Sequence, residues 1–525
     1  MNLFRAVFIG ICVFISAGVA QAGDKTMAKA NSAVHRMTTA EFENKVRGGW
    51  AGQMIGVTYG APTEFRFQQK INDQPRDWKP EELAGALDQD DLYVEMTFSD
   101  VMDRKGVDAT SDDYGEAFKN SKYNLWHANL AARRALLRGI KGSMSGNPKY
   151  NLHSNDIDFQ IESDFIGLMT PGMPRAAQRY AQRVGRVMNY GDGLYGGMFI
   201  SAMYSAAYFE EDPRKVVEAG VATIPAGSRY AKVIKDVLRW SAENPGDWKK
   251  TWQLLEEKWD RDDPCPDGAL LPFNIDAALN GAYVAMGLLY GHKDFDTTID
   301  IAMRGGQDSD CNPSSAGGIL GTMIGYKAIP AKWTDPLPAI ADKKFSYTNY
   351  SFNTSVEKTI ERARNVIKLE GGSVDGDGLS IPAQTPESVK LEQFEAGKPV
   401  ERIAFTDPRW SFKGNWQQDK DGNSQERSNR SAKANSEAIV KFKGTGAILY
   451  GHLLPEGGLM RVSLDGTDLG TFDASVDDGD HTEGLWGRFD LAPGDHTFRV
   501  VVKGQPYSGS KGSWIPLSQL IVFQK

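Results

Sequence analysis

The sequence predicts an all-α domain followed by an all-β sandwich. Residues 38–368 carry apolar side chains three or four positions apart, which is the helical period. After residue 390, short β-branched and aromatic runs alternate with turns. A stretch rich in glycine and proline separates the two patterns. We therefore expect a signal peptide at 1–22, a helical domain at 36–370, a linker at 371–390 and a β-sandwich of the jelly-roll type at 391–525.

The first 22 residues have the pattern of a cleavable secretory signal peptide. Arg5 precedes a short apolar run, and Ala20-Gln-Ala22 offers small residues for cleavage after Ala22. An N-terminal spanning helix is the alternative, but the run is shorter than the roughly 20 apolar residues that a bilayer requires. We expect a periplasmic or extracellular protein that has no membrane anchor after cleavage.

The net charge and the cysteine content limit the kinds of ligand and the number of disulfides that this protein can have. The formal net charge of -8 at pH 7 argues against a nucleic-acid groove and leaves saccharide or protein substrates open. Cys265 and Cys311 lie beyond the signal peptide, so export permits one disulfide but not a disulfide framework. Nothing in the sequence indicates an oligomeric state.

Glycines recur at helical spacing in the first domain, four residues apart at Gly52, Gly56 and Gly60 and again within 317–325. Glycine costs about 1 kcal/mol relative to alanine inside a helix. Repeated use on one face therefore indicates close approach of another helix or of a ligand. Close helix packing is the simpler of these two explanations.

The C-terminal strands are expected at 438–443, 447–450, 459–464, 497–502 and 519–523. This tail resembles the galactose-binding-like modules that are attached to secreted carbohydrate enzymes. Trp410, Trp416 and Trp486 are its candidate sugar-binding rings. A tryptophan in a sandwich more often lies in the core, so sugar binding by this domain stays open.

Three acidic motifs in the helical domain are flanked by glycine or apolar residues rather than by other charges. They contain Glu64, the pair Asp90 and Asp91, and the pair Asp308 and Asp310. Neighbouring carboxylates raise one another's pKa in a dry site, and a hard divalent cation relieves that repulsion. Such pairs also occur as helix caps, so the prediction depends on the motifs in combination.

Taken together, residues 47–333 resemble the ADP-ribosylglycohydrolase family. Gly49 to Phe65 is similar to the family's opening glycine helix and its glutamate. Gln89-Asp-Asp-Leu92 is similar to its Thr-Asp-Asp-Thr motif, and Gly305 to Asn312 is similar to its terminal Gly-Gly-Asp-Thr-Asp-Thr-Asn signature. The resemblance implies a compact all-α fold and a two-metal site, usually Mg²⁺. It also implies that Glu64 lies beside the scissile glycosidic bond, and that the metal ligands are Asp90, Asp91, Asp308 and Asp310.

The sequence departs from the family's motifs at Gln89, Leu92 and Cys311, which replace threonines. An amide oxygen still binds a hard ion, whereas leucine does not and a thiol prefers softer metals. We therefore expect one or two divalent ions, Mg²⁺ first, with Ca²⁺ and Mn²⁺ as alternatives. The predicted metal ligands are Gln89, Asp90, Asp91, Asp308 and Asp310.

A fourth acidic segment lies where the family usually carries small residues and an arginine. It contains Asp158, Gln160, Glu162 and Asp164. A pyrophosphate is normally bound by cations or helix N-termini, whereas an acceptor-rich groove suits a neutral sugar. We expect Asp158, Gln160 and Glu162 to contact substrate; the alternative is that these acids face solvent or pair with arginines such as Arg175.

Three further residues are predicted to contact substrate, namely Asn124, His127 and Asp192. For His127, which lies in a stretch rich in alanine and leucine, a structural role is an equal alternative.

Cleavage of a glycosidic bond requires a proton donor for the leaving oxygen and a water or carboxylate at the anomeric carbon. Metal ions orient sugar hydroxyls and activate that water. The predicted function is a secreted, metal-dependent hydrolase of a non-nucleotide saccharide, a furanoside by analogy with ribose. An ADP-ribosyl hydrolase outside the cytoplasm and a non-catalytic carbohydrate-binding protein are the alternatives. The predicted catalytic residues are Glu64, Asp91, Asp164 and Asp308, with proton transfer assigned to Glu64 or Asp164.

Overall fold

The structure is a computed structural model that describes residues 34–260, 263–419 and 427–525. The predicted signal peptide lies outside these residues. Across the described ranges, no helix combines the length and the apolar character needed to cross a bilayer.

Residues 39–369 form the predicted helical domain. Four short 3-10 helices connect its α-helices, at Ala61–Thr63, Pro80–Asp88, Tyr326–Ala328 and Leu337–Ala339. In chain order the α-helices are α1 (Thr39–Gly60), α2 (Asp90–Lys105), α3 (Ser111–Lys119), α4 (His127–Leu137), α5 (Asp158–Ile161), α6 (Asp164–Leu168), α7 (Pro174–Gly185), α8 (Asp192–Ala207), α9 (Pro213–Val221), α10 (Arg229–Glu243), α11 (Trp248–Trp259), α12 (Ala277–Gly291), α13 (Phe295–Arg304), α14 (Cys311–Ile324), α15 (Ala331–Thr334) and α16 (Phe352–Leu369).

Helices α1 and α14 pack against each other through their glycines, which supports the packing explanation of the stripe. A Cβ on Gly56 would lie 2.0 Å from the carbonyl oxygen of Pro313, and a Cβ on Gly60 would lie 2.1 Å from that of Ser309. Only glycine permits this approach without moving the backbone. The contact brings the end of α1 to the start of α14, where two of the acidic motifs lie.

A small antiparallel sheet extends the helical domain into the expected linker. It consists of β1 (Val34–Thr38), β2 (Ser373–Asp375) and β3 (Gly378–Pro382), in the order β1-β3-β2. Val34 pairs with Pro382 and Thr38 with Gly378. Residues 373–382 are therefore strands rather than a free connection.

The C-terminal residues form the predicted β-sandwich of two antiparallel sheets. Their orders are β11-β10-β13-β8-β5 and β12-β9-β14-β7-β6, with β4 paired to β14. The strands are β4 (Lys398–Ala404), β5 (Trp410–Lys413), β6 (Gln417–Gln418), β7 (Asn429–Ser431), β8 (Glu437–Gly444), β9 (Gly446–Leu453), β10 (Gly458–Leu464), β11 (Thr467–Asp473), β12 (His481–Arg488), β13 (Gly494–Pro506) and β14 (Ile515–Gln524).

Two of the three candidate sugar-binding tryptophans lie in the core of the sandwich. Trp410 is 7% exposed and Trp486 is 6% exposed, and only Trp416 is partly exposed. A surface platform of these rings is therefore wrong for Trp410 and Trp486, because the two rings are buried beside Phe412 and Phe498 respectively.

Ion pairs join the sandwich to helix α4. The Arg138 guanidinium donates to the Asp473 carboxylate at 2.8 and 2.5 Å, and Arg133 donates to Asp478 at 2.7 Å. The N-terminus of the same helix faces the acidic segment at 158–162. The sandwich therefore packs on an element that also contributes to the candidate site.

Candidate metal and catalytic site

The first and third acidic motifs meet where α1 ends and α14 begins. One carboxylate oxygen from each of Glu64, Asp308 and Asp310 lies within 4.8 Å of the other two. The hydroxyls of Thr63 and Ser309 lie 2.8 Å apart and join the two segments. Side chains about 250 residues apart in sequence thus form one group.

The second motif joins this group through Asp91, the second residue of α2. Its carboxylate lies within 4.8 Å of ligand atoms of both Asp310 and Cys311, and it accepts from the Cys311 thiol at 3.4 Å. Among the described residues, Oδ1 of Asp91 and Oδ1 of Asp310 are buried without a hydrogen-bond partner. Buried carboxylate oxygens of this kind require a cation or a proton. We call Glu64, Asp90, Asp91, Asp308 and Asp310 the carboxylate cluster.

The electrostatics of the carboxylate cluster favour a bound cation. Burial, together with Asp310 and Asp90, raises the pKa of Glu64 to about 8. Burial and Asp310 raise the pKa of Asp90 to about 6, and burial and the neighbouring carboxylates raise the pKa of Asp91 and Asp308 well above the usual range. Within the described residues, no lysine or arginine forms a salt bridge with the cluster. An all-oxygen set without a cationic side chain suits a hard divalent ion, so these residues fit the predicted metal.

The loop before α14 is held in place by an amide of α12. The Asn280 side-chain oxygen accepts from the backbone N–H of Asp308 at 3.2 Å and from the Asn312 amide at 2.8 Å. Gly306 has a φ of 81°, and a Cβ there would lie 2.2 Å from the carbonyl oxygen of Phe67. A glycine at this turn lets the loop lie directly against the segment that follows Glu64.

A family model described as ADP-ribosylglycohydrolase matches residues 38–365. The chain belongs to the ADP-ribosylglycohydrolase family. The resemblance predicted from the three motifs is thereby confirmed, and family membership indicates a hydrolase. No curated protein matches the chain.

Solved structures that are similar to parts of the chain include the following three. A structure titled "ADP-ribosylglycohydrolase-related protein complex" is 14% identical and covers 62% of this chain and 99% of its own, with a TM-score of 0.41. The CBM36-1 domain of a multidomain xylanase from the hindgut metagenome of Trinervitermes trinervoides is 13% identical, covering 23% of this chain and 93% of its own, with a TM-score of 0.17. A family two carbohydrate esterase from Cellvibrio japonicus is 13% identical, covering 24% of this chain and 33% of its own, also with a TM-score of 0.17.

The departures from the family's motifs have different structural consequences. Gln89 is half-buried and directly precedes α2, next to Asp90. Leu92 is fully buried in the core. Cys311 is buried and contacts Asp91, and both described cysteines, Cys311 and Cys265, are free thiols.

Two acids of the fourth acidic segment, Asp158 and Glu162, lie at the N-terminus of α4. Asp158 accepts from the backbone N–H of Asn129 at 2.9 Å, and Glu162 accepts from the Asn129 amide at 2.5 Å. Burial, then Asp158, and also Asp90, raise the pKa of Glu162. Arg175 instead lies 3.8 Å from Glu387, so the expected alternative of pairing with Arg175 is wrong.

The remaining predicted contact residues lie outside the carboxylate cluster. Gln160 is 1% exposed and lies 2.7 Å from the Tyr230 hydroxyl, and Asp192 accepts from the Tyr230 backbone N–H at 3.2 Å. Asn124 is exposed, and His127 lies 3.3 Å from Asp267. The hydrogen bonds of Gln160 and Asp192 therefore join α5 and α8 to α10.

Asp164 lies near a second buried carboxyl group, that of Glu95, whose pKa it raises and to which no role was assigned from the sequence. Asp164 accepts from the Tyr204 hydroxyl at 2.9 Å, while Glu95 accepts from the Gln53 amide at 2.8 Å and the Phe165 N–H at 3.0 Å. Burial raises the pKa of Asp164 to about 8, so the pair retains a proton at neutral pH. Glu95 follows Asp91 by four residues, so both lie on one face of an apolar helix. This spacing could have indicated from the sequence that Glu95 is a buried acid near the candidate site.

Proposed function

We propose that the chain is a divalent-metal-dependent hydrolase of a glycosidic bond in a non-nucleotide saccharide. The observation that carries the proposal is the buried carboxylate cluster, whose oxygens have no cationic partner among the described residues. A hydrolase of this family with such a cluster has the groups that a metal-assisted glycosidase requires.

In this proposal the three buried aspartates of the cluster bind the metal, and Glu64 faces the substrate. Asp91, Asp308 and Asp310 are buried and would hold the ion, with Asp90 beside them. A bound divalent cation orients sugar hydroxyls and lowers the pKa of a coordinated water. Glu64 is half-buried at the edge of the group, so its carboxyl is placed to protonate the leaving oxygen.

The chain's own carboxylates favour a neutral sugar over a pyrophosphate. The N-terminus of α4 has free N–H groups of the kind that bind phosphate, but Asp158 already accepts the N–H of Asn129 there. A second anion would be repelled by Asp158 and Glu162.

Three exposed aromatic rings lie on or against segments that carry the candidate site residues. Phe65, which follows Glu64, is 49% exposed, and Trp126, which precedes α4, is 48% exposed. Tyr347 is 64% exposed and packs edge-on against Tyr93 of α2, with ring centroids 5.2 Å apart. Such rings offer an apolar face to a polar ligand, as saccharide sites require.

An ADP-ribosyl hydrolase is the second candidate, and the family match favours it. We also propose export, which is supported by the signal-peptide pattern of residues 1–22. Mass spectrometry of the protein purified from the growth medium or periplasm should give Gly23 as the first residue.

The test is a hydrolysis screen with aryl glycosides, including furanosides, and with ADP-ribosylated protein. Each substrate is assayed with EDTA and after Mg²⁺ is restored. We expect Mg²⁺-dependent release from an aryl glycoside, loss of that activity in Asp308→Asn, and full activity in the matched surface variant Asp335→Asn.

The other outcomes separate the alternatives. Release of ADP-ribose alone would support the second candidate. Saccharide binding without release from any substrate would contradict both and indicate a non-catalytic binding protein. Activity that is unaffected by EDTA and by Asp308→Asn would contradict the metal assignment.

A further inference from the structure

A second group of ligand-type side chains lies outside the carboxylate cluster, against the sandwich. Nδ1 of His153 is 2.9 Å from Oδ2 of Asp156 and 3.1 Å from Sγ of Cys265, and Sγ is 3.2 Å from the same Oδ2. The three residues are at most 1% exposed. A nitrogen, an oxygen and a sulfur therefore face one another at a single buried point.

Glu483 of β12 completes the surroundings of His153. The other ring nitrogen of His153, Nε2, lies 2.5 Å from the Glu483 carboxylate on β12. If Nε2 donates its proton to Glu483, Nδ1 presents a lone pair to the carboxylate of Asp156 and the thiol of Cys265. A histidine that binds a metal ordinarily donates its second N–H to a carboxylate, which is the position Glu483 holds.

Asp263 supplies a fourth ligand of suitable chemistry. Ligand atoms of Asp156, Asp263 and Cys265 all lie within 4.8 Å of one another, and Asp263 accepts from the Cys265 backbone N–H at 2.7 Å. Asp263 also lines a cavity of about 270 Å³ with Asp260 and Asp276. Asp263 therefore belongs both to this acidic cavity and to the buried group.

We propose that His153, Asp156, Asp263 and Cys265 bind one transition-metal ion of the zinc class. Nitrogen, sulfur and carboxylate ligands are those of tetrahedral zinc, and a thiolate discriminates against Mg²⁺. Bonds of about 2.0–2.3 Å place tetrahedral ligands about 3.3–3.7 Å apart, so the ion requires His153, Asp156 and Cys265 to separate by a few tenths of an ångström.

The ion would hold three parts of the molecule together. Its ligands join the turn at 153–156 to the segment at 263–276, and Glu483 connects them to the sandwich. The second segment also supports the carboxylate cluster, because the Asn280 amide that orients the Asp308 loop donates to the Asn274 carbonyl at 2.8 Å. We expect a structural ion that is distinct from the catalytic cation.

The test is cobalt substitution of the purified full-length chain in the presence of excess Mg²⁺. We expect one equivalent of Co²⁺ with a thiolate-to-cobalt charge-transfer band, absent in Cys265→Ser and retained in the matched variant Cys311→Ser. If the band is instead lost in Cys311→Ser and kept in Cys265→Ser, the ion is in the carboxylate cluster and the proposal is wrong. Absence of a band in the wild-type chain also overturns it.

A second variant keeps the proposal testable if Cys265→Ser does not fold. Glu483→Gln preserves shape and leaves all four ligands in place. Because loss of such a supporting carboxylate weakens metal binding about 10- to 100-fold, Zn²⁺ competition with a chelator should show a decrease of that size. Unchanged Zn²⁺ affinity would contradict the proposal, whatever the effect on hydrolysis.

Discussion

Buried aspartates serve opposite purposes in two regions of this molecule. In the carboxylate cluster, burial raises the pKa of Asp308 and Asp310, and the charge of Asp310 raises that of Asp308 further. At the contact between α4 and the sandwich, burial opposes ionisation of Asp473, but Arg138 and Arg134 hold its pKa well below the usual range. The residue type and depth are similar, and the presence or absence of a cationic partner makes the difference.

The comparison separates residues that stabilise the fold from residues that are kept for chemistry. A paired carboxylate such as Asp473 stabilises the folded state when it is ionised. Carboxylates that repel one another destabilise the folded state until a cation binds. The carboxylate cluster is therefore expected to lower the stability of the fold and to serve catalysis. Asp473 is expected to stabilise the fold and to have no part in catalysis.

The largest expected effect is on catalysis. Asp310→Asn removes a proposed metal ligand and should lower kcat/KM at least about 1000-fold, which corresponds to about 4 kcal/mol. The same change removes one buried like charge, so the metal-free variant should unfold at the same or a higher temperature than the wild type. A large loss of thermal stability together with normal turnover would show that Asp310 stabilises the fold and does not serve catalysis.

The next effect is on stability. Asp473→Asn leaves Arg134 and Arg138 without their buried partner and should lower the free energy of unfolding by about 3 kcal/mol. Turnover per folded molecule should not change. Asp468→Asn, on the same strand, breaks an exposed pair with Arg461 and should cost less than about 1 kcal/mol. Both variants are measured by urea unfolding. Equal losses of unfolding free energy in Asp473→Asn and Asp468→Asn would contradict the difference between the buried and the exposed ion pair.

Acid pH should remove the contribution of Asp473. Its pKa is lower in the folded state than in the unfolded state, so the stabilisation is complete above the unfolded value of about 3.9 and decreases as the pH falls towards the folded value. The difference in free energy of unfolding between wild type and Asp473→Asn should therefore be constant from neutral pH to about pH 5 and shrink below about pH 4. If the difference in free energy of unfolding instead increases as the pH falls, the stabilising role of ionised Asp473 is contradicted.

The smallest expected effect is on substrate affinity. Trp126→Ala removes an exposed ring beside α4 and should raise KM about 10-fold, or about 1.4 kcal/mol, with little change in kcat. Tyr150→Ala, which removes another exposed ring of the helical domain, serves as the control. Equal KM values for the two variants would remove Trp126 from the proposed saccharide site.

The sequence predicted the helical domain, the sandwich and the family, because periodicity and ordered motifs are local signals. The family resemblance assigned Glu64 and the Asp308 pair to one site, and the structure shows that the glycines of α1 and α14 bring the two motifs together. The sequence did not reveal that Glu483 contacts His153, or that β3 pairs with β1, because those contacts join segments more than 300 residues apart. The spacing of Asp158 and Gln160 in the sequence also did not predict their different partners. Asp158 accepts from the N-terminus of α4, whereas Gln160 contacts the Tyr230 hydroxyl.

Calorimetric titration of Mg²⁺ into the metal-free full-length chain tests the cation assignment of the carboxylate cluster most directly. The double variant Asp308→Asn/Asp310→Asn provides the comparison, and Cys265→Ser controls for the second site. We predict one or two Mg²⁺ ions bound per wild-type chain, the same number in Cys265→Ser, and no binding in the double variant. Equal binding by the wild type and the double variant, or no binding by either, would contradict the account.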